Sequence, residues 1–196
     1  MFNLIIFGPP GSGKGTQSIK IAEKYRLIHI STGDIFRNEI RNKTEIGLKV
    51  KSITEKGELV PDELLIEILK SVMDKHKETK GFVFDGFPRT IVQAEDLDNL
   101  MKEEKSSISL VIALEVHEEE LIARLLNRAI ETGRKDDTEE VIQNRLKVYN
   151  KQTKPLIDFY KKQNKFELVH GVGSIDDIFN ELCEVIDSID ITKVYE

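Results

Sequence analysis

One short segment near the N-terminus restricts what this chain can become more than any bulk property: Gly8-Pro9-Pro10-Gly11-Ser12-Gly13-Lys14-Gly15-Thr16. It follows an apolar run, Leu4–Phe7, that suits a first strand, and it opens a stretch of helical period. Glycines between a strand and a helix let the backbone fold into a concave nest whose N–H groups point at phosphate oxygens. The helix that follows adds its positive N-terminal end, and Lys14 adds a mobile full charge. In the usual pattern Ser or Thr follows the lysine directly, whereas here Gly15 stands before Thr16. The hydroxyl that would face a Mg²⁺ ion is therefore displaced by one position. The competing reading is a plain glycine-rich turn, and the lysine and both flanks argue against it.

Beyond the loop, short apolar runs alternate with longer amphipathic ones. Strands are expected at Leu4–Phe7, Leu27–Ile30, Phe82–Phe84, Leu110–Leu114 and Phe166–Val169. Between Asp62 and Lys77 the residues Leu64, Leu65, Ile68, Leu69, Val72 and Met73 form one helical stripe. Asp137 followed by Glu140 resembles a capping box opening a long helix toward Lys162. The alternation predicts an α/β fold, a parallel sheet with helices on both faces. Two stretches interrupt it: Ser31 to Val60 is helical without a strand, and Arg128 to Asp137 is polar around Gly133. Both are expected as insertions over the strand ends, where open parallel sheets bind ligands.

Composition narrows the function. With 29 Lys+Arg against 35 Asp+Glu the net charge is -6, so a phosphate site must be a local basic cluster, and nucleic-acid binding is not expected. No apolar run is long enough to cross a bilayer, and the N-terminus lacks the basic region of a signal peptide, so no membrane association is expected. The single cysteine, Cys183, excludes an internal disulfide and a cysteine metal cluster; it lies in line with Phe179, Leu182 and Ile186 as a core thiol, which fits a reducing cytoplasm.

Asp85 ends the run Phe82-Val83-Phe84-Asp85, and an acid at a strand tip either closes a turn or holds Mg²⁺ directly or through water. The phosphate loop favours the second reading. Arg37 and Arg89 follow the second and third strands; Arg124 and Arg128 are spaced to share a helix face; Arg134 and Arg145 could align on a persistent helix. Such a set suits the charge compensation that phosphoryl transfer needs.

In order and spacing, Gly8–Thr16 with Gln17, Ser31-Thr32-Gly33-Asp34 with Arg37, Asp85-Gly86-Phe87-Pro88-Arg89-Thr90 with Gln93, and Arg134-Lys135-Asp136-Asp137 with Arg145 together resemble the adenylate kinases over essentially the whole chain. In that family the Gly after the loop lysine is the ordinary form, which restores Thr16 as the Mg²⁺-facing hydroxyl. The resemblance implies a three-layer α/β/α fold of the phosphate-loop class with a five-stranded parallel sheet. One domain, 1–196, would carry a helical AMP-binding insertion at 31–60 and a short lid at 127–137. It further implies that Gly11, Ser12, Gly13, Lys14, Gly15 and Thr16 hold ATP, with Arg128 and the backbone near Gly173. AMP would be met by Thr32, Arg37, Glu58, Leu59, Val60, Gly86, Phe87, Pro88, Arg89, Gln93, Arg134 and Arg145. Lys14, Arg89, Arg124, Arg128, Arg134 and Arg145 would surround the moving phosphoryl group, with Mg²⁺ at Thr16 and Asp85.

The implied reaction is MgATP + AMP ⇌ 2 ADP, by a monomer. A UMP/CMP kinase of the same fold typically has Ala at Thr32 and Asn-rich positions near Thr90 and Gln93, so those residues favour AMP. A non-catalytic nucleotide-binding protein is the remaining alternative. The lid stretch offers no Cys or His set, and His29, His76, His117 and His170 are scattered, so no structural zinc is expected.

Overall fold

The computed structural model describes residues 1–134 and 136–189; Lys135 of the Arg134–Asp137 run and the segment 190–196 lie outside the described residues. Strand β1 (Phe2–Phe7) is buried along its whole length. It pairs in parallel with β3 (Gly81–Asp85) on one side and β4 (Leu110–Glu115) on the other. With β2 (Ile28–Ser31) and β5 (Phe166–His170) the five-stranded parallel sheet runs β2-β3-β1-β4-β5. A central strand covered on both faces reads as a continuous apolar run, and that is what made β1 legible. Its pleat divides the core: Ile5 and Phe7 join Phe82 and Phe84 on one face, while Leu4 and Ile6 join the helical residues Ile21, Leu182 and Ile186 on the other.

Helix α1 (Lys14–Tyr25) follows β1, and α9 (Ile175–Ser188) packs beside it. Between β2 and β3 lie α2 (Thr32–Arg41), α3 (Glu45–Glu55) and α4 (Asp62–Asp74), with no strand among them. On α4 the expected stripe turns Leu65, Leu69 and Met73 into the core, but the helix ends at Asp74 and the chain passes through turns to Gly81. Helix α5 (Ile91–Glu103) connects β3 to β4, and α6 (Glu118–Thr132) follows β4 and ends on Gly133 in the left-handed region, φ 65°.

The long helix expected from Asp137 to Lys162 is instead α7 (Glu139–Val148), a wide π turn (Tyr149–Thr153) and α8 (Leu156–Lys162). Pro155, without an N–H, cannot continue the first ladder. The cap is Thr138, whose hydroxyl accepts from Val141 N, because the Asp137 carboxylate is committed to arginines. Leu121 and Leu125 of α6 meet Ile142 and Leu146 of α7 in a small separate cluster. Among the described residues no helix is long and apolar enough to cross a membrane.

Candidate active site

The phosphate loop turns between β1 and α1 through Gly11 (φ 85°) and Gly13 (φ 88°), both left-handed. A β-carbon on Gly11 would stand 2.9 Å from the Leu121 carbonyl, so α6 seats directly on the loop. Ser12 is buried with a hydroxyl that has no partner among the described residues, and Thr16 is exposed on the first turn of α1. Lys14 donates to the Pro9 carbonyl at 3.3 Å, which holds the ammonium over the loop. Desolvation pushes Lys14 down to about 7, helped by Arg89, Arg145 and Arg128 and opposed by Asp85.

Asp85 ends β3 with its side chain 9% exposed, and a β-carbon at Gly15 would lie 3.4 Å from its Oδ2. The carboxylate thus faces the first turn of α1. Burial would raise its pKa, but the His29 imidazole and the Lys14 charge outweigh it and hold the group ionised below the usual range. His29 Nε2 lies 3.6 Å from Asp85 Oδ2 and has no hydrogen-bond partner among the described residues. Along the sequence His29 is one of four scattered histidines. The β2–β3 register, with Ser31 opposite Asp85 and His29 on the same face as Ser31, brings it to the carboxylate.

A cavity of about 810 Å³ opens beside this strand end. Arg37, Arg89, Arg134 and Arg145 line it, residues that lie far apart along the chain. So do Thr32, Gly86, Gln93 and the turn Glu58-Leu59-Val60. Gly86 adopts φ 76° and its carbonyl accepts from Thr32 Oγ1 at 3.0 Å and from Arg89 Nε at 2.7 Å, tying α2 to the turn after β3. The cap of α2 is Ser31, so Thr32 is free for that bond. Phe87 is buried in the core and Pro88, after a cis peptide, faces a smaller cleft shared with Lys14, Arg89 and Arg145. Desolvation lowers Arg89 to about 10, with Arg145 and Arg37 adding to it and Asp85 opposing. Burial likewise lowers Arg145 and, less enclosed, Arg134. The arginines crowd one another in the cavity, with Arg37 paired to Asp34 at 2.6 Å and Arg145 to Asp136 at 3.3 Å.

Arg128 and Arg124 sit on α6 but serve different neighbours. Arg128 grips Asp137 through two bonds of 2.7 Å, and Arg145 Nη1 reaches the same carboxylate at 2.8 Å. Asp137 is buried, which would raise its pKa, yet Arg128 and Arg145 hold it below the ordinary carboxylate range. Arg124 pairs with Glu120 and donates to the Gly171 carbonyl at 3.0 Å, at the head of the turn containing Gly173. That turn is exposed, and Gln17 of α1 anchors its far end through Ile175 O at 2.9 Å. The structure thus brings Thr32, Arg37, Arg89, Gln93, Arg134 and Arg145 to one cavity, with Lys14 in the adjoining cleft, whereas Arg124 is tied to Gly171 and does not line either.

A parallel sheet ordered β2-β3-β1-β4-β5, a glycine nest with its lysine after the central strand, and converging arginines define a nucleotide phosphotransferase of the phosphate-loop class. The family model for adenylate kinase matches residues 6–165. An adenylate kinase of Bacteroides thetaiotaomicron is 52% identical over 189 residues, covering 96% of this chain and all of that protein. An adenylate kinase of Phocaeicola vulgatus is 50% identical and one of Flavobacterium psychrophilum 48%, each over 96% of this chain and all of the relative. The chain belongs to the adenylate kinase family.

Proposed function

We propose that the chain catalyses MgATP + AMP ⇌ 2 ADP, a phosphate oxygen of AMP attacking the γ-phosphorus of ATP as the bond to the β-phosphate oxygen breaks. The observation that carries this reading is the cavity where Arg37, Arg89, Arg134 and Arg145 converge next to Gln93 and adjoin Lys14. The AMP phosphate is itself the anionic nucleophile, so no side chain need form a covalent bond. The residues work by placing two anions in line and cancelling charge that neither would tolerate alone. Arg37 and Arg89 suit bidentate grip of the AMP phosphate, and Lys14 with the N–H groups of Gly11 to Thr16 suits the ATP phosphates.

The Asp85 carboxylate and the Thr16 hydroxyl are hard oxygen donors on facing elements. That donor set fits Mg²⁺, which takes few carboxylates and completes its shell with phosphate oxygens and water. When bound there, Mg²⁺ supplies charge neutralisation on the β- and γ-oxygens.

In this reading residues 31–60 form the AMP-binding insertion and 127–137 a short lid on one domain, working as a cytoplasmic monomer. Three bonds to one carboxylate support a moving lid: Asp137 holds Arg128 and Arg145 from opposite sides of the lid turn, so that closure over nucleotide would transfer them to phosphate. Initial rates with ATP and each of AMP, UMP, CMP and GMP test the proposal. AMP should be the best acceptor by at least about tenfold, since the rim of polar contacts around a base discriminates at that scale or better. Faster turnover of UMP or CMP would assign a different acceptor, and no turnover by folded protein would leave a nucleotide-binding role.

A further inference from the structure

Gln93 is 1% exposed, and both ends of its amide are engaged. Its Oε1 accepts from Arg89 N at 2.7 Å, and its Nε2 donates to Asp62 Oδ1 at 2.6 Å. These partners cannot be exchanged. A backbone N–H only donates and an ionised carboxylate only accepts, so a flipped amide would set donor against donor and acceptor against acceptor. One N–H and one lone pair of the amide remain unspent, in a fixed order, at the wall of the large cavity. Asp62 opens α4, whose apolar stripe is buried against the core, so the carboxylate stands on a rigid element.

We infer that Asp62 is a specificity-determining positioning residue: by holding Nε2 it fixes the donor–acceptor order that Gln93 presents to the acceptor base. The inference rests on the proposed AMP reading, in which Gln93 faces that base. An amide locked in one order suits adenine, which offers N1 as acceptor beside a 6-amino donor. It opposes a 6-oxopurine, which offers N1–H as donor beside a carbonyl acceptor. Inosine monophosphate is the cleanest competitor, because it differs from AMP on this edge alone.

The test measures kcat and KM for AMP and for inosine monophosphate, with saturating MgATP, in wild type, Asp62→Asn, Asp62→Ala and Gln93→Leu. Losing the acceptor should raise KM for AMP by about tenfold in Asp62→Ala and by less in Asp62→Asn, whose amide oxygen still accepts from Nε2, with kcat and the KM for ATP within about twofold of wild type in both. The AMP preference should fall by a similar factor. A role limited to starting helix α4 would lower the melting temperature and the active fraction alike for both acceptors, and would leave the preference unchanged. An unchanged preference in both Asp62 variants, beside a Gln93→Leu variant that loses it, overturns the inference alone. If Gln93→Leu also keeps the wild-type preference, Gln93 does not read the base, and the underlying placement of AMP falls with it.

Discussion

At Lys14 two demands oppose each other. The nest must be lean in water to bind phosphate, yet desolvation and neighbouring arginines push the ammonium down to about 7. Phosphate oxygens would reverse that balance and restore the charged form. Nucleotide binding at pH 8, where ATP itself is fully ionised, should therefore take up about one proton. Calorimetric titration in buffers of different ionisation enthalpy measures it, and proton release or no exchange would refute it. The same shift has a sign for stability: the unfolded chain binds the proton that folded Lys14 lacks between about 7 and 10.5, so this group favours folding more as pH rises through that window. At this scale the sequence was informative where chemistry sits in a motif, as for Lys14, Arg37 and Arg89. It was silent for His29 and Asp62, whose importance comes from a strand register and from a contact between residues 62 and 93.

Among elements, the stretch from α6 to α7 behaves as a unit joined at Asp137. Its side chain is fully enclosed, while Arg128 and Arg145 are 31% and 20% exposed, so part of their attraction is screened. Asp137→Asn should cost about 1–3 kcal/mol, leaving two guanidinium groups facing one neutral amide. Melting curves from pH 3 to 7 check the sign. Since folding lowers the Asp137 pKa, its contribution is complete above about pH 4 and fades as pH falls through the lowered value. The gap between wild type and variant should therefore close in acid, and a gap that widens there would contradict the assignment. Boundaries here were the least legible. Asp137 and Thr138 are both good caps on propensity, and only the position of two arginines distant in sequence decides between them. The π turn before Pro155 leaves no periodic signal either, since the apolar stripe runs on past it.

For the whole molecule, the alternation of short apolar and amphipathic runs carries the fold almost complete. β1, β3, β4 and β5 contain their apolar runs and extend one or two residues beyond them, while β2 is shifted by one, to Ile28–Ser31; the central strands are the most legible because a sheet covered on both faces needs continuous apolar strands there. What the runs alone leave open is the order of strands, which decides that the phosphate loop after β1 and Asp85 after β3 share one edge. The arginines then converge because insertions before β3 and after β4 both project over that edge. In the proposed reaction one strand edge holds two nucleotides with their phosphates end to end. A crystal structure of the chain bound to a bisubstrate analogue, two adenosines joined through their phosphates, tests it directly. Lys14, Arg37, Arg89 and Arg145 should each place a nitrogen within about 3.2 Å of phosphate oxygen, with one adenine against Gln93 and the other beside Gly173. An analogue bound with Arg37 and Arg89 turned to solvent, or with neither adenine at Gln93, would contradict it.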